Sequence, residues 1–192
     1  MDGMNDSRRS GALKALSSKN ADDPIEALRF FVASLTGLPM NLVRRRWQLK
    51  PGTRPGMNAD WASVGVEKVT TAGTPQITGV KGVPSDPASG ISKTETHQML
   101  EVRVAFYGPN ALTLADAFRD ACGIGQNNQL LKDRGLTLQS VSEEAVRLPD
   151  LVFEQWCDRY EIVLRVGRKA TRIYGVRDIA TAVGAVQIIT EH

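Results

Sequence analysis

The clearest period-two pattern in the chain runs from Thr96 to Tyr107. Thr96, Gln98, Leu100, Val102, Val104 and Phe106 share one face, and His97, Met99, Glu101, Arg103, Ala105 and Tyr107 share the other. One apolar face and one mixed face predict a long strand buried on one side. Gly108-Pro109-Asn110 ends it, and Asn110 is placed to cap a helix from Ala111 to Ala121, with Leu114, Ala117, Phe118 and Ala121 at helical spacing. A second run, Gln155 to Arg168, sets Trp156, Asp158, Tyr160, Ile162, Leu164 and Val166 against Cys157, Arg159, Glu161, Val163 and Arg165. It predicts one strand available to pair with the first, long enough that it must bend or project beyond its domain.

The other elements follow from punctuation. Asp22 or Asp23 caps a helix with Pro24 in its first turn and Ile25, Leu28, Val32 and Leu35 on its apolar stripe, and Gly37 ends it. Strands are expected at Asn41 to Gln48, Trp61 to Thr70 and Leu136 to Val141, and within the ambiguous tail at Ala185 to Ile189. Gly123 and Gly125 separate the second helix from a short third one, Gln126 to Arg134, which stops at Gly135. Residues 71–95 hold four glycines and three prolines between two strands. A structureless connection of that length exceeds the ~12–15 residues expected inside a compact domain, so it is either a functional loop or an extended hairpin arm. Residues 1–21 are polar and form an N-terminal arm, and 22–192 form one domain.

Composition narrows the function classes. Residues 1–60 hold ten Lys/Arg against six Asp/Glu, and residues 61–192 fourteen against fifteen. Basic character is therefore local and does not describe a general nucleic-acid-binding surface. Cys122 and Cys157 are far apart and belong to no CxxC, which reads as two buried or incidental thiols of a cytoplasmic protein. No window approaches the ~18 apolar residues of a membrane span, so no membrane partner is expected. His97 and His192 lack a partner constellation, and Gly123-Ile124-Gly125 follows a helix where a phosphate loop would precede one. Glu143 and Glu144 are adjacent and point apart, so they read as a solvated edge. No catalytic, cofactor or metal site is expected.

Arg44-Arg45-Arg46 beside Trp47 admits two contacts. Arginines on a sheet edge pair bidentately with carboxylates of the chain or of a neighbour, or a basic strand with an aromatic faces DNA. On the second alternative the chain is a cytoplasmic DNA-binding module.

The order of "LTGLP", "NLVRRRWQ", "DWASVGV", "LEVRVAFYGPNA", "GIGQNNQLL" and "PDLVFEQWCDRYEIVLRVGRKATRIY" resembles phage neck or tail-terminator proteins, over about Pro24 to Ile189. The most distinctive parts are the FYGPNA junction and Trp156, Arg159 and Tyr160 at the start of the long run. The resemblance implies an α+β fold, an α/β sandwich whose bent, mixed and largely antiparallel sheet carries the helices. It also implies a structural virion protein and not an enzyme, needing no cofactor. Such a subunit forms a ring, a hexamer, between the head-side connector or adaptor proteins and the tail tube or sheath, with DNA passing through the lumen without sequence-specific contact. It is made in the host cytoplasm and ends in the neck of the virion. On this reading the interface candidates are Arg44, Arg45, Arg46, Trp47, Ile77, Lys81, Val83, Lys93, Arg168 and Lys169.

Overall fold

Alternation along Thr96 to Tyr107 translates directly into burial. Thr96, Leu100, Val102, Val104 and Phe106 are all buried, and the four apolar residues from Leu100 to Phe106 belong to the main core. A computed structural model describes residues 12–19, 23–48, 52–80, 89–152 and 154–177. In chain order its elements are β1 (Ser17–Lys19), α1 (Ile25–Thr36), β2 (Val43–Arg45), β3 (Trp61–Val80), β4 (Ser89–Tyr107), α2 (Ala111–Cys122) and α3 (Gly125–Lys132). There follow β5 (Leu136–Val141), β6 (Val146–Arg147), β7 (Asp150–Val152), β8 (Gln155–Cys157) and β9 (Arg159–Arg177). The fold is α+β, with a mixed sheet and three helices among the described residues.

The sheet runs β9-β4-β3-β2, with β1, β5 and β6 each pairing antiparallel with β9. β2 lies parallel to β3, in the register Val43 to Ala62 and Arg45 to Val64. The chain divides into two compact units. One, Asn20–Thr74 with Thr96–Ala170, contains the core. The other comprises Met1–Lys19, Pro75–Glu95 and Thr171–His192. In it β1 pairs with Thr171 to Ile173 through backbone bonds, and residues 12–19 are all exposed.

The core lies between one sheet face and the helices. Phe106 of β4 meets Phe118 of α2 with ring centroids 5.5 Å apart, and Phe118 meets Phe31 of α1 edge-on at 6.0 Å. Leu28 and Val32 of α1 are fully buried beside them, as their helical spacing requires. Pro24, not an aspartate, is the N-cap residue of α1; Asp23 just before it accepts from the Ile25 N–H at 3.0 Å, and Gly37 ends the helix with φ 72° and a bond to the Ala33 carbonyl. Cys122 is buried in the core, and desolvation pushes its thiol up to about 12. Both cysteines are free and buried, as the spacing suggested.

Several boundaries differ from the sequence reading. The strand expected over Asn41 to Gln48 is only Val43–Arg45, because beyond Arg45 the chain leaves the ladder at Arg46 and Trp47. The long run from Gln155 is two strands. Asp158 interrupts it, Trp156 pairs with Leu151 in the β7–β8 hairpin at 70% exposure, and β9 starts at Arg159 and continues to Arg177. Residues 71–95 are largely strand, since β3 extends to Val80 and β4 begins at Ser89. The tail strand at 185–189 lies outside the described residues.

Asn110 stands at the start of α2, as expected, yet its side chain does not cap the helix. Its Nδ2 donates to Asp60 Oδ2 at 2.8 Å, and its N–H donates to Asp60 Oδ1 at 2.9 Å. Asp60 therefore ties the start of β3 to the strand-to-helix junction. Gly108 makes room for this. Its φ is 107°, and a Cβ there would lie 2.6 Å from the Ala59 carbonyl oxygen and 2.9 Å from Asp60 Cα. Both backbone strain and a clash with main chain oppose any side chain. Gly108→Ala is expected to destabilise the chain by about 2–4 kcal/mol, lowering the melting temperature by roughly 5–15 °C in circular dichroism. A melting temperature within about 2 °C of the wild type contradicts this assignment.

Candidate assembly interface

The sheet face away from the helices is polar, and one buried carboxylate organises it. Glu161 of β9 is 2% exposed at its side chain. It accepts from Arg46 Nη1 at 2.9 Å and Arg103 Nη1 at 2.8 Å, and Arg159 Nε lies 3.4 Å away. Arg103 also reaches Glu67 of β3 at 2.7 Å, and Arg46 approaches Glu67 at 3.8 Å. The cluster thus joins β9, β4, β3 and the residue that follows β2. Desolvation pushes the Glu161 carboxyl up, but hydrogen bonds from Arg103 and Arg46 outweigh it, and the group titrates below its ordinary value.

The three consecutive arginines divide by strand alternation. Val43 and Arg45 face the helix side, where Arg45 binds Asp23 at 2.7 Å and Glu26 at 2.8 Å. Arg29 anchors the same corner, donating to the Val43 carbonyl at 2.6 Å and the Met40 carbonyl at 2.9 Å. Arg44 and Arg46 face the other way. Arg46 joins the Glu161 cluster, and among the described residues Arg44 donates only to backbone, to Thr53 O at 2.6 Å and Asn41 O at 3.4 Å. Two of the three guanidiniums are therefore engaged by carboxylates of the same chain, the first of the two contacts considered for them.

Beside Arg44 opens a cleft of about 530 Å³, walled by Trp47, Trp61, Tyr107 and Arg54. Trp61 and Tyr107 stack with centroids 3.9 Å apart and planes 4° from parallel, and Arg54 lies 5.6 Å from each ring centroid. Arg54 has one loose carboxylate contact, Asp150 at 3.7 Å. Trp47 is 60% exposed, and Arg46 sits 5.7 Å from its ring. Gly65 of β3 permits this placement, since a Cβ there would lie 2.6 Å from the Trp47 ring and 2.8 Å from Arg46 Cβ. Ser63 is buried at the cleft, and its hydroxyl has no hydrogen-bond partner among the described residues.

The remaining candidates fall elsewhere. Ile77 is 73% exposed on β3, and Lys93 pairs with Glu95 two residues along β4 at 2.5 Å. Arg168 donates to Gln98 Oε1 at 2.9 Å and, with Lys169, lines a separate hollow of about 450 Å³ that also includes His97. Lys81 and Val83 lie outside the described residues. Patterning on its own missed Glu161, Arg103, Glu67 and the Trp61–Tyr107 stack. The signal was present as opposite charges on the mixed faces of Thr96–Tyr107 and of the long run at Glu161, but it becomes specific only once strand order is known.

Among the described residues, no group of His, Cys, Asp and Glu is placed to hold a metal ion, and no helix is long and apolar enough to cross a membrane. Breaking the central ion cluster should be costly. Glu161→Gln leaves Arg46 and Arg103 short of a carboxylate and is expected to lower stability by about 3 kcal/mol near neutral pH. Because the folded pKa is depressed, the Glu161 contribution is present above the ordinary value of 4.5 and is lost as pH falls through the lower folded value. Urea titrations at several pH values should show the gap between wild type and variant closing on acidification. A gap independent of pH contradicts the assignment.

No curated protein matches the sequence. The family model described as phage neck terminator protein matches residues 23–192, which covers α1 and every element after it and leaves out only β1. A match over that span includes both distinctive stretches, the FYGPNA junction that Asp60 and Gly108 build and the strand that carries Glu161. The chain belongs to the phage neck terminator protein family, whose members are structural proteins of the virion.

Proposed function

We propose that the chain is a ring-forming subunit of the phage neck that terminates the tail and joins it to the head-side connector. Its partners are further copies of itself, connector or adaptor proteins on one side and tail tube or sheath proteins on the other. Its role is mechanical, and it catalyses no reaction. The resemblance to neck terminators favours six copies.

The observation that carries this reading is β3. From Glu67 to Gly79 every residue of this strand is exposed, including Val69 at 50% and Ile77 at 73%. A strand that buries none of these residues within its own chain is a ready template for pairing and is maintained in proteins that cover it with a neighbour. β-branched residues at Val69, Thr70, Thr71 and Ile77 suit such pairing. The same stretch continues into the connection between β3 and β4, which we assign to contacts with neighbouring subunits or to the lumen. The arginines of the Arg44–Arg46 run argue against a DNA-reading role, since Arg45 and Arg46 already spend their donors on carboxylates.

Two outcomes are expected. Density for the assembled neck should contain this chain as a closed ring between connector and tail, and a phage lacking it should accumulate heads and tails that fail to join. Absence of the chain from purified virions contradicts the proposal. Val69→Asp with Ile77→Asp should leave subunit stability within about 0.5 kcal/mol of the wild type, because surface changes away from packed features rarely exceed that. The same variant should block particle assembly, and normal virion yield would remove the exposed strand from the interface.

A further inference from the structure

The ring reading leaves unassigned which surfaces of adjacent copies meet. We infer that each subunit seats its β5–β6 connection, carrying Glu143 and Glu144, in the Arg44–Arg54 cleft of the next copy. This inference rests on the ring proposed for the neck and names its contact.

Topology supplies the first argument. Among the described residues, β2 pairs only with β3, β5 and β6 pair only with β9, and β4 lies between β3 and β9. The cleft and the β5–β6 connection therefore stand at opposite edges of one sheet. A cyclic ring needs two different, complementary surfaces on each subunit, and opposite sheet edges provide them. An isologous pair would instead need one surface that complements itself.

Charge supplies the second. Among the described residues, Arg44 is held only by backbone carbonyls, and Arg54 has a single carboxylate at 3.7 Å. At the other edge Glu143 and Glu144 are exposed, and no cation pairs with their carboxylates among the described residues, the nearby Arg119 being paired with Asp116 and Asp120. Their backbone is fixed: Ser142 Oγ donates to the Glu144 carbonyl at 2.9 Å, and Arg119 donates to the Glu143 carbonyl at 3.4 Å. The loop is thus shaped by its main chain while both carboxylates stay available. Two guanidiniums without a close carboxylate at one edge match two carboxylates without a cation at the other.

The cleft itself is built to receive a group. Ser63 is 3% exposed and its hydroxyl has no partner among the described residues, a costly state that an arriving carboxylate or carbonyl would relieve. Trp47 at 60% exposure offers an apolar wall, and Val146, just after the acidic pair, is 48% exposed. Tryptophan and arginine at a cleft are the side chains that dominate interface energies. Nucleic acid fits less well. Asp150, Glu67 and Glu161 stand among the arginines of this face, so a run of phosphates would meet acidic groups at once.

Charge reversal tests the contact in virions. One variant carries Glu143→Arg and Glu144→Arg, and a second carries Arg44→Glu and Arg54→Glu. Each is checked for wild-type circular dichroism and then supplied to a phage lacking the gene product. Each alone should lose particle formation. The quadruple variant should recover it, and so should the two variants expressed together, since they can alternate around an even-numbered ring. The glutamate variant removes no packing, so its result stands even if the arginine variant folds poorly. Two results overturn the inference: normal particles from the glutamate variant, or a quadruple variant that folds and assembles no better than its parents. Loss confined to the arginine variant, with packaged DNA escaping, would make the cleft a DNA surface. In those cases a neck ring of wild-type chain still upholds the ring reading, whereas absence of the chain from the neck removes both.

Discussion

A buried carboxylate can stay ionised only if cations surround it, and Glu161 determines what its sheet face must contain. At 2% exposure it would neutralise or unfold its surroundings if left alone, and Arg46 and Arg103 at 2.9 and 2.8 Å prevent that. Each arginine then needs a second anion, which Glu67 supplies to both. The cluster spans three strands and the residue just past β2, so a polar face that hydrophobic packing does not hold is held by ion pairs. The helix side is stabilised by Phe31, Phe106 and Phe118, and the two faces meet at β4, where Phe106 and Arg103 point opposite ways.

Rigidity of this face has a functional consequence. Arg46 is the residue at which the chain leaves β2, and its bond to Glu161 fixes where Trp47 and the cleft wall lie. β9 carries Glu161 and also pairs with β6, whose Val146 lies opposite Glu161 itself. One carboxylate therefore connects both sheet edges proposed to meet in the ring. An interface built on such elements requires little ordering when copies associate, and that lowers the cost of assembly. The Asp60–Asn110 pair does similar work at the strand-to-helix junction, where Gly108 lets the main chain approach closely.

Local patterning made much of this legible. Alternation identified β4 and its buried face, helical spacing with Asp23 and Gly37 bounded α1, and Leu136–Val141 was found to the residue. The family was legible too, in packing and turn motifs rather than in chemistry. What alternation could not supply was interruption. Asp158 disfavours strand, but one such residue inside an alternating run does not announce a break, and the β7–β8 hairpin just before it turns Trp156 out to solvent. Nor could it show the partners of the arginines, because Glu161 is 115 residues from Arg46 and 58 from Arg103. Those contacts come from strand order, a long-range property. For residues 71–95 the sequence left a loop and an extended hairpin arm open, and β3 through Gly73 and Pro75 fits the arm, since an exposed strand tolerates residues that a central one does not.

A double-mutant cycle between Arg46 and Glu161 tests most directly whether this carboxylate couples the sheet edges. Stabilities of wild type, Arg46→Met, Glu161→Gln and the double variant would be measured by urea denaturation near neutral pH. Groups sharing one buried ion cluster should show a coupling of about 2 kcal/mol, the double variant being less destabilised than the sum of the single changes. Additivity within about 0.5 kcal/mol would mean that the two residues act independently and that Glu161 does not organise the face.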